Sequence, residues 1–222
     1  MNELTFIIPT LNEAENIHQV IQEIRELPMR ADILVADNDS DDNTAEIVRA
    51  MGIRCINVPF RGKGNAIRAL IPLVSTPYTV MIDADLTYSL STLEYALRYF
   101  ANGTDVVMGW RRYRLPGAMK KTNIIGNTII TAIADIFYKQ RIHDVCTGLW
   151  VFKTEKLKAL NLTSPGFTLE LELFTKCSLA GYQIKEIPIA YRPRNAGYAK
   201  FHPFWSSYEN VKFLLQSRFG GK

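Results

Sequence analysis

Tyr78-Thr79-Val80-Met81-Ile82-Asp83-Ala84-Asp85 is an apolar run that ends in two carboxylates. Its β-branched and aromatic residues read as a buried strand running from Tyr78 to Asp83. Side chains i and i+2 of a strand point to the same side. An Asp-x-Asp at the strand's C-terminal end therefore aims Asp83 and Asp85 at one point, in the crevice where open α/β sheets bind ligands. Two hard oxygen donors there suit Mg²⁺ or Mn²⁺, which would bridge to a diphosphate. The plainer alternative is a pair of loop carboxylates that cap the next helix.

The flanking segments supply the frame. Residues 4–8 read as a strand stopped by Pro9, and Asn12 is placed to cap a helix whose Ile17, Val20, Ile21, Ile24 and Leu27 keep helical spacing. Residues 33–36 form the next strand, which runs into the polar turn Asp37-Asn38-Asp39-Ser40-Asp41-Asp42 and a short helix through Ile47 and Val48. Residues 54–58 read as a third strand and 63–74 as a helix with Pro72 near its end. A helix around Leu93, Leu97 and Phe100 precedes a fifth strand over 105–109. Further on, the pattern predicts a long helix over 119–138, a strand over 149–152, a helix over 169–179 and an edge strand over 184–189. A last helix carries Phe204, Trp205, Tyr208, Val211, Leu215 and Phe219 on one stripe, which suits a core-facing surface better than a membrane-facing one. Strands alternating with helices predict a mostly parallel, doubly wound α/β sheet. No linker interrupts the pattern, so residues 1–222 are expected to form one domain.

With 222 residues, 47% hydrophobic and 22% charged, the chain can bury a full core. Cys55, Cys146 and Cys177 stand at no metal-ligand spacing and read as reduced thiols of a cytosolic protein. No stretch reaches the roughly 18 apolar residues of a membrane span. The N-terminus enters a strand without the basic and apolar regions of a signal peptide. The net charge of +4 hides an asymmetry: residues 1–108 carry 8 Lys/Arg against 15 Asp/Glu, and residues 109–222 carry 18 against 7. The first half is suited to holding a cation and the second to meeting phosphates, on a membrane surface or a soluble anion. Solvated faces of either sign are the bland alternative. Nucleic acid is not expected, because the basic residues are dispersed and no recognised binding motif accompanies them.

In a parallel sheet four segments converge: Pro9-Thr10-Leu11-Asn12-Glu13, the acidic turn with Asp37 and Asp39, Arg61-Gly62-Lys63-Gly64-Asn65-Ala66, and Asp83-Ala84-Asp85. Carboxylates after the second strand can accept from a ribose or a base N–H, although some of that turn must be cap chemistry. The two glycines would let backbone approach a ligand, and Lys63 with a helix N-terminus favours phosphate. Gly-x-Gly-x-x-Gly is absent after the first strand, and so is the phosphate-loop pattern, which counts against a nicotinamide oxidoreductase and a nucleotide triphosphatase. His18, His143 and His202 are too scattered for a metal site.

In this order the segments resemble family 2 glycosyltransferases of the GT-A fold, in the branch of dolichyl-phosphate mannose synthase and related polyprenyl-phosphate sugar synthases. The resemblance continues through Gly109-Trp110-Arg111, Asp144-Val145-Cys146-Thr147-Gly148, Gly166-Phe167-Thr168-Leu169-Glu170, Glu186-Ile187-Pro188-Ile189 and Arg194-x-x-Gly197-x-x-Lys200, so it spans about residues 4–201. It implies that Pro9, Asn12, Glu13, Asp37 and Asp39, with Lys63 and the Asp83-Ala84-Asp85 triplet, hold a nucleotide diphosphate sugar. It assigns Asp83 and Asp85 to Mg²⁺ or Mn²⁺, and Arg111, Arg194 and Lys200 to the phosphate of a polyprenyl or dolichyl lipid. Thr87 stands where mannose synthases often have a metal-binding Gln, Trp110 replaces the usual Ser, and Lys120 and Lys121 lie near a usual Arg. Asp83–Tyr88 and Gly117-Ala118-Met119 lean towards relatives that use UDP-sugars, with GDP-mannose as the other donor.

The implied chemistry is an inverting transfer of a hexose. A lipid phosphate is already anionic, so cations rather than a strong base must assist it. Should a catalytic carboxylate exist, Glu170 is the candidate; Glu172, two residues on, does not share its helical face. Asp144 is expected to orient a loop near the diphosphate. A hydroxyl acceptor and a non-catalytic nucleotide-sugar-binding protein are the alternatives. The expected place of action is the cytoplasmic face of a membrane, reached peripherally or through a membrane-anchored partner.

Overall fold

The structure, a computed structural model, describes residues 3–196 and 203–220, with backbone alone for 203–208. Lys200, Gly197 and His202 lie outside the described residues, as do the side chains of Phe204, Trp205 and Tyr208. Seven strands among the described residues form one sheet: β1 (Leu4–Thr10), β2 (Ala31–Asp37), β3 (Arg54–Asn57), β4 (Tyr78–Met81), β5 (Val106–Arg114), β6 (Trp150–Lys153) and β7 (Ile184–Tyr191). Their order is β3-β2-β1-β4-β6-β5-β7. Every pairing is parallel except the two made by β6, which runs antiparallel to β4 and β5. This is the expected mostly parallel α/β sheet, with one strand reversed.

The alternation of β-strand side chains divides the core into two layers. Ile7, Ala36, Met81, Met108, Trp150 and Phe152 face one side of the sheet. That side is covered by α3 (Lys63–Leu70), α5 (Lys121–Tyr138), α6 (Thr154–Ala159), α7 (Leu169–Leu179) and α8 (Pro203–Phe219). Phe6, Ile8, Val35, Val80, Val107 and Val151 face the other, against α1 (Ala14–Arg25), α2 (Thr44–Ala50) and α4 (Leu93–Phe100). Both faces are covered, which is why the strands read as continuous apolar runs.

Several boundaries differ from the sequence expectation. The fourth strand stops at Met81, so Asp83 and Asp85 stand in the loop beyond it. The helix after Gly62 ends at Leu70 and passes into a 3₁₀ turn, Ile71–Leu73, because Pro72 has no N–H to continue the ladder. β5 continues past Gly109 to Arg114, with an irregularity between Trp110 and Tyr113 where it pairs with β7. Asn12 does not cap α1. It adopts the left-handed conformation (φ 51°) and ties the first loop to the acidic turn. Its N–H donates to Ser40 Oγ and its Oδ1 accepts from the Asp41 N–H.

The glycines at 62 and 64 also serve a different purpose from the one expected. A Cβ on Gly64 would stand 1.9 Å from the Ser164 carbonyl oxygen, and one on Gly62 2.2 Å from that of Pro165. They admit the backbone of residues 164–165, which accepts from the Asn65 N–H at 3.1 Å. Gly64→Ala is therefore expected to cost about 2–3 kcal/mol, the upper range of overpacking, because its neighbour is backbone. Gly166→Ala, with open space around it, should change stability by less than about 0.5 kcal/mol. Urea unfolding of the two variants checks the contrast.

Candidate active site

Strand order turns at β1: β2 and β3 lie to one side, β4 to the other. The crevice beyond the ends of β1 and β4 is the topological switch point of the sheet. The loops leaving those two strands carry Pro9–Glu13 and Asp83–Asp85, as the sequence suggested. What lies between them is a set of ion pairs.

Lys63, at the first turn of α3, has a side chain only 10% exposed. Its Nζ is 2.5 Å from Asp83 Oδ1 and 2.6 Å from Glu170 Oε1. Burial alone would lower its pKa, but the two carboxylates outweigh burial and hold the ammonium above its ordinary value. Glu170 moves the other way: burial, and secondarily Asp83, raise it against the pull of Lys63. Behind this triad, Glu172 is 1% exposed at its side chain. Its carboxylate accepts from the Thr163 N–H and hydroxyl, from the Ser164 N–H and from Lys176. Glu172 therefore fixes the 163–165 loop on which the glycines around Lys63 rest. The two glutamates separate as helical geometry requires, Glu170 into the crevice and Glu172 into structure.

Asp85, 9% exposed, is held by a second cation. Its Oδ2 accepts from Arg194 Nη2 at 2.9 Å, and Arg194 Nη1 donates to Glu13 Oε1 at 3.2 Å. Thr87, at the position of the expected metal-binding Gln, folds back and donates both N–H and hydroxyl to Asp85 Oδ1. Ala84 is buried between the two aspartates. Gly148 comes so close that a Cβ there would stand 2.3 Å from Asp83 Oδ2. Tyr88, which the sequence reading overlooked, accepts from the Gly148 N–H at 2.6 Å and so sets that approach. An aromatic five residues after an Asp gives no sequence signal for such a role.

At the ends of β1 and β2, Pro9 is half-buried and Asp37 is 4% exposed. The Asp37 carboxylate accepts from Thr10 Oγ1, Ser40 Oγ and the Ser40 N–H, so much of its capacity goes to the turn. Asp39, left-handed at φ 62°, is exposed at the turn's apex. A cavity of about 300 Å³ adjoins Asn12, Glu13 and Asp42.

Arg111 has partners other than those expected of a phosphate ligand. It is 5% exposed, and its guanidinium meets Asp144 twice, Nε to Oδ2 at 2.6 Å and Nη2 to Oδ1 at 2.7 Å. Nη2 also donates to the Cys146 carbonyl. Burial would disfavour the cation, but Tyr88 and Asp144 hold it well above its usual pKa. Glu186 accepts from the backbone N–H groups of His143 and Asp144, fixing the same loop from β7. Arg111 and Asp144 thus hold the 144–148 loop against Asp83. Trp110 stacks on His143 with centroids 4.1 Å apart.

The site's carboxylates, Glu13, Asp83, Asp85 and Glu170, outnumber its cations, Lys63 and Arg194, by two when all are charged. A diphosphate adds further negative charge. The donors are hard oxygens, and an added divalent ion suits both their chemistry and their charge. Among the described residues no group of three or more His, Cys, Asp or Glu meets at one point. Asp83 and Asp85 are the residues that would hold such an ion.

The chain resembles known proteins in sequence and in fold. Residues 5–160 match the model of "Glycosyl transferase family 2". A dolichyl-phosphate hexose transferase of Haloferax volcanii is 34% identical over 204 residues, covering 91% of this chain and 88% of that protein. Glycosyltransferase AglJ of the same organism is 34% identical over 193 residues, 86% of this chain but only 63% of AglJ. The fold is that of glucosyl-3-phosphoglycerate synthase from Mycobacterium tuberculosis, solved with Mn²⁺, UDP and glucosyl-3-phosphoglycerate. There the TM-score is 0.75 at 20% identity, covering 100% of this chain and 81% of that one.

Removing one partner of the buried Arg111–Asp144 pair leaves an uncompensated buried charge. Asp144→Ala is expected to cost about 3–5 kcal/mol. Glu94→Ala, which breaks the exposed and solvent-screened pair with Arg98, should leave the unfolding midpoint close to that of the wild type. Chemical denaturation of the two variants measures the difference.

Proposed function

Because this chain belongs to glycosyl transferase family 2, we propose that it moves a hexose from a nucleotide diphosphate sugar to the phosphate of a polyprenyl or dolichyl lipid. The observation that carries the reading is the meeting of Asp83, Asp85, Lys63 and Arg194 at the switch point. Two carboxylates for a metal diphosphate and two cations for phosphate oxygens arrive there from three separate loops. The related dolichyl-phosphate hexose transferase supports a lipid phosphate as acceptor. A UDP-sugar is the preferred donor and GDP-mannose the second.

Residues 1–222 act as one glycosyltransferase unit, with donor contacts drawn mainly from 1–108 and acceptor contacts from 109–222. Pro9, Asn12, Glu13, Asp37 and Asp39 form the nucleotide end, with Asp39 the exposed carboxylate for a ribose or base. Asp83 and Asp85 hold Mg²⁺ or Mn²⁺, which when bound neutralises charge on the leaving diphosphate. Lys63 donates to diphosphate oxygens from the N-terminus of α3. The lipid phosphate oxygen attacks the sugar C1 from the face opposite the diphosphate, the C1–O bond to the diphosphate breaks, and the anomeric configuration inverts. Arg194 and Lys200 draw the attacking anion close to a second anion, where a fixed cation has its greatest effect. Arg111 acts through the 144–148 loop. The reaction takes place at the cytoplasmic face of a membrane.

Two measurements test the reading. Initial rates over a panel of UDP- and GDP-sugars, with and without polyprenyl phosphate, should show product only with the lipid phosphate and a divalent cation. Asp85→Ala should remove turnover while thermal unfolding stays cooperative; near-normal turnover would sink the metal assignment.

Arg194→Gln removes charge-assisted hydrogen bonds worth about 1.5–3 kcal/mol each. It should raise the KM for lipid phosphate by roughly 10- to 150-fold, with nucleotide-sugar affinity by calorimetry changed far less. The reverse pattern would place Arg194 on the donor.

A further inference from the structure

On the last helix the stripe expected to face the core is not the buried side: Leu214 is fully buried, with Tyr138 of α5 donating to its carbonyl at 3.5 Å, while Leu215 and Phe219 of the stripe are 43% and 69% exposed. An uncovered apolar surface also lies on α5. Ile130, Thr131, Ala134 and Tyr138 are its buried side. Its outward side presents Ile125, 61% exposed, Ile129, 53%, and Ile136, 71%, with Ala132 exposed between them. Their spacing of four, three and four residues makes one straight stripe. Asp135, the one acidic residue of α5, is half-buried, and its carboxylate accepts from the Ile142 N–H. The stripe therefore carries no carboxylate.

Basic residues stand at both ends of that stripe. Lys120 and Lys121 precede it, Lys139 and Arg141 follow it, and all four are exposed. Among the described residues none of the four takes part in an ion pair. Isoleucines left in water between unpaired cations fit a surface that is apolar beneath an anionic layer. A protein partner of ordinary composition would have to supply carboxylates at two places about 27 Å apart, the length of an 18-residue helix. No helix among the described residues is long and apolar enough to cross a membrane.

We propose that the outer face of α5 docks on an anionic lipid bilayer, with Ile125, Ile129 and Ile136 at the acyl boundary and the four cations among the headgroups. The docking face is read from exposure and charge; its purpose, delivery of the active site to a lipid phosphate, rests on the proposed function. It lies on the membrane reversibly, and salt weakens it as the Debye length shortens.

The test is flotation of the full purified chain with phosphatidylcholine vesicles, with and without phosphatidylglycerol, over a salt series. The wild type should float with the anionic vesicles at low salt and lose binding as salt rises. Ile129→Ser/Ile136→Ser should weaken binding at least about tenfold. Lys120→Glu/Lys121→Glu should weaken it by about fivefold or more per residue changed. Unfolding midpoints of both variants, all at exposed positions, should match the wild type. No flotation at low salt, or equal flotation by folded variants, overturns the proposal. So does light scattering that shows a dimer which the isoleucine variant splits, because a second copy then covers the stripe. Turnover on a soluble short-chain polyprenyl phosphate is read separately. Its absence in the wild type counts against the proposed function, and flotation still decides the docking face.

Discussion

A buried ammonium, that of Lys63, sets the arrangement of the candidate active site. An ion removed from water costs several kcal/mol unless it is paired closely on more than one side. Lys63 meets that condition with Asp83 from the loop after β4 and Glu170 from the start of α7. Three elements distant in sequence are held together by one charge. The supporting parts follow from it. Glycines at 62 and 64 let the lysine loop close on residues 164–165, and Glu172 anchors that loop in turn. Gly148, kept small beside Asp83, lets the loop before β6 complete the wall.

Arg194 repeats the motif at the second aspartate. One cation per aspartate divides the Asp-x-Asp into two electrostatic environments, one set by α3 and α7, the other by α1 and the segment after β7. The two carboxylates are thus prepared from opposite sides of the crevice. Asp85 is further fixed by Thr87, so its free lone pairs are fewer than those of a solvated carboxylate. What the pair would offer a divalent ion is the lone pairs that Lys63, Arg194 and Thr87 leave free.

Much of this was legible in the chain. The alternation of strands and helices, the converging loops and the carboxylates after the fourth strand are local signals with a physical period. The reversal of β6 was not legible, because a four-residue run buried on both faces reads the same in either direction. The role of the glycines at 62 and 64 was invisible for a related reason: a glycine marks close approach but not what approaches. Asn12 is as good a cap by composition as it is a left-handed turn residue, and the turn at Ser40 and Asp41 decided between them. In α5, apolar residues on nearly every side left no period by which the covered face could be told from the open one. Arg194 was reached through resemblance alone, because its partners lie 109 and 181 positions earlier.

The segment after β7 ties the end of the sheet to its beginning. Arg192 pairs with Glu23, Arg194 with Glu13, and Asn16 donates to the Ala196 carbonyl, all across α1. During synthesis the sheet from β1 to β4 is available to fold while this segment has yet to be made. Glu13 and Asp85 then face one another without their shared cation, while Lys63 and Asp83 pair before Glu170 has been made, so the crevice has its final net charge but not its final distribution. The Glu13–Asp85 side of the crevice accordingly stays one positive charge short until residue 194 emerges. Assembly of the sheet and maturation of the site are two events, separated by the time needed to translate more than a hundred residues.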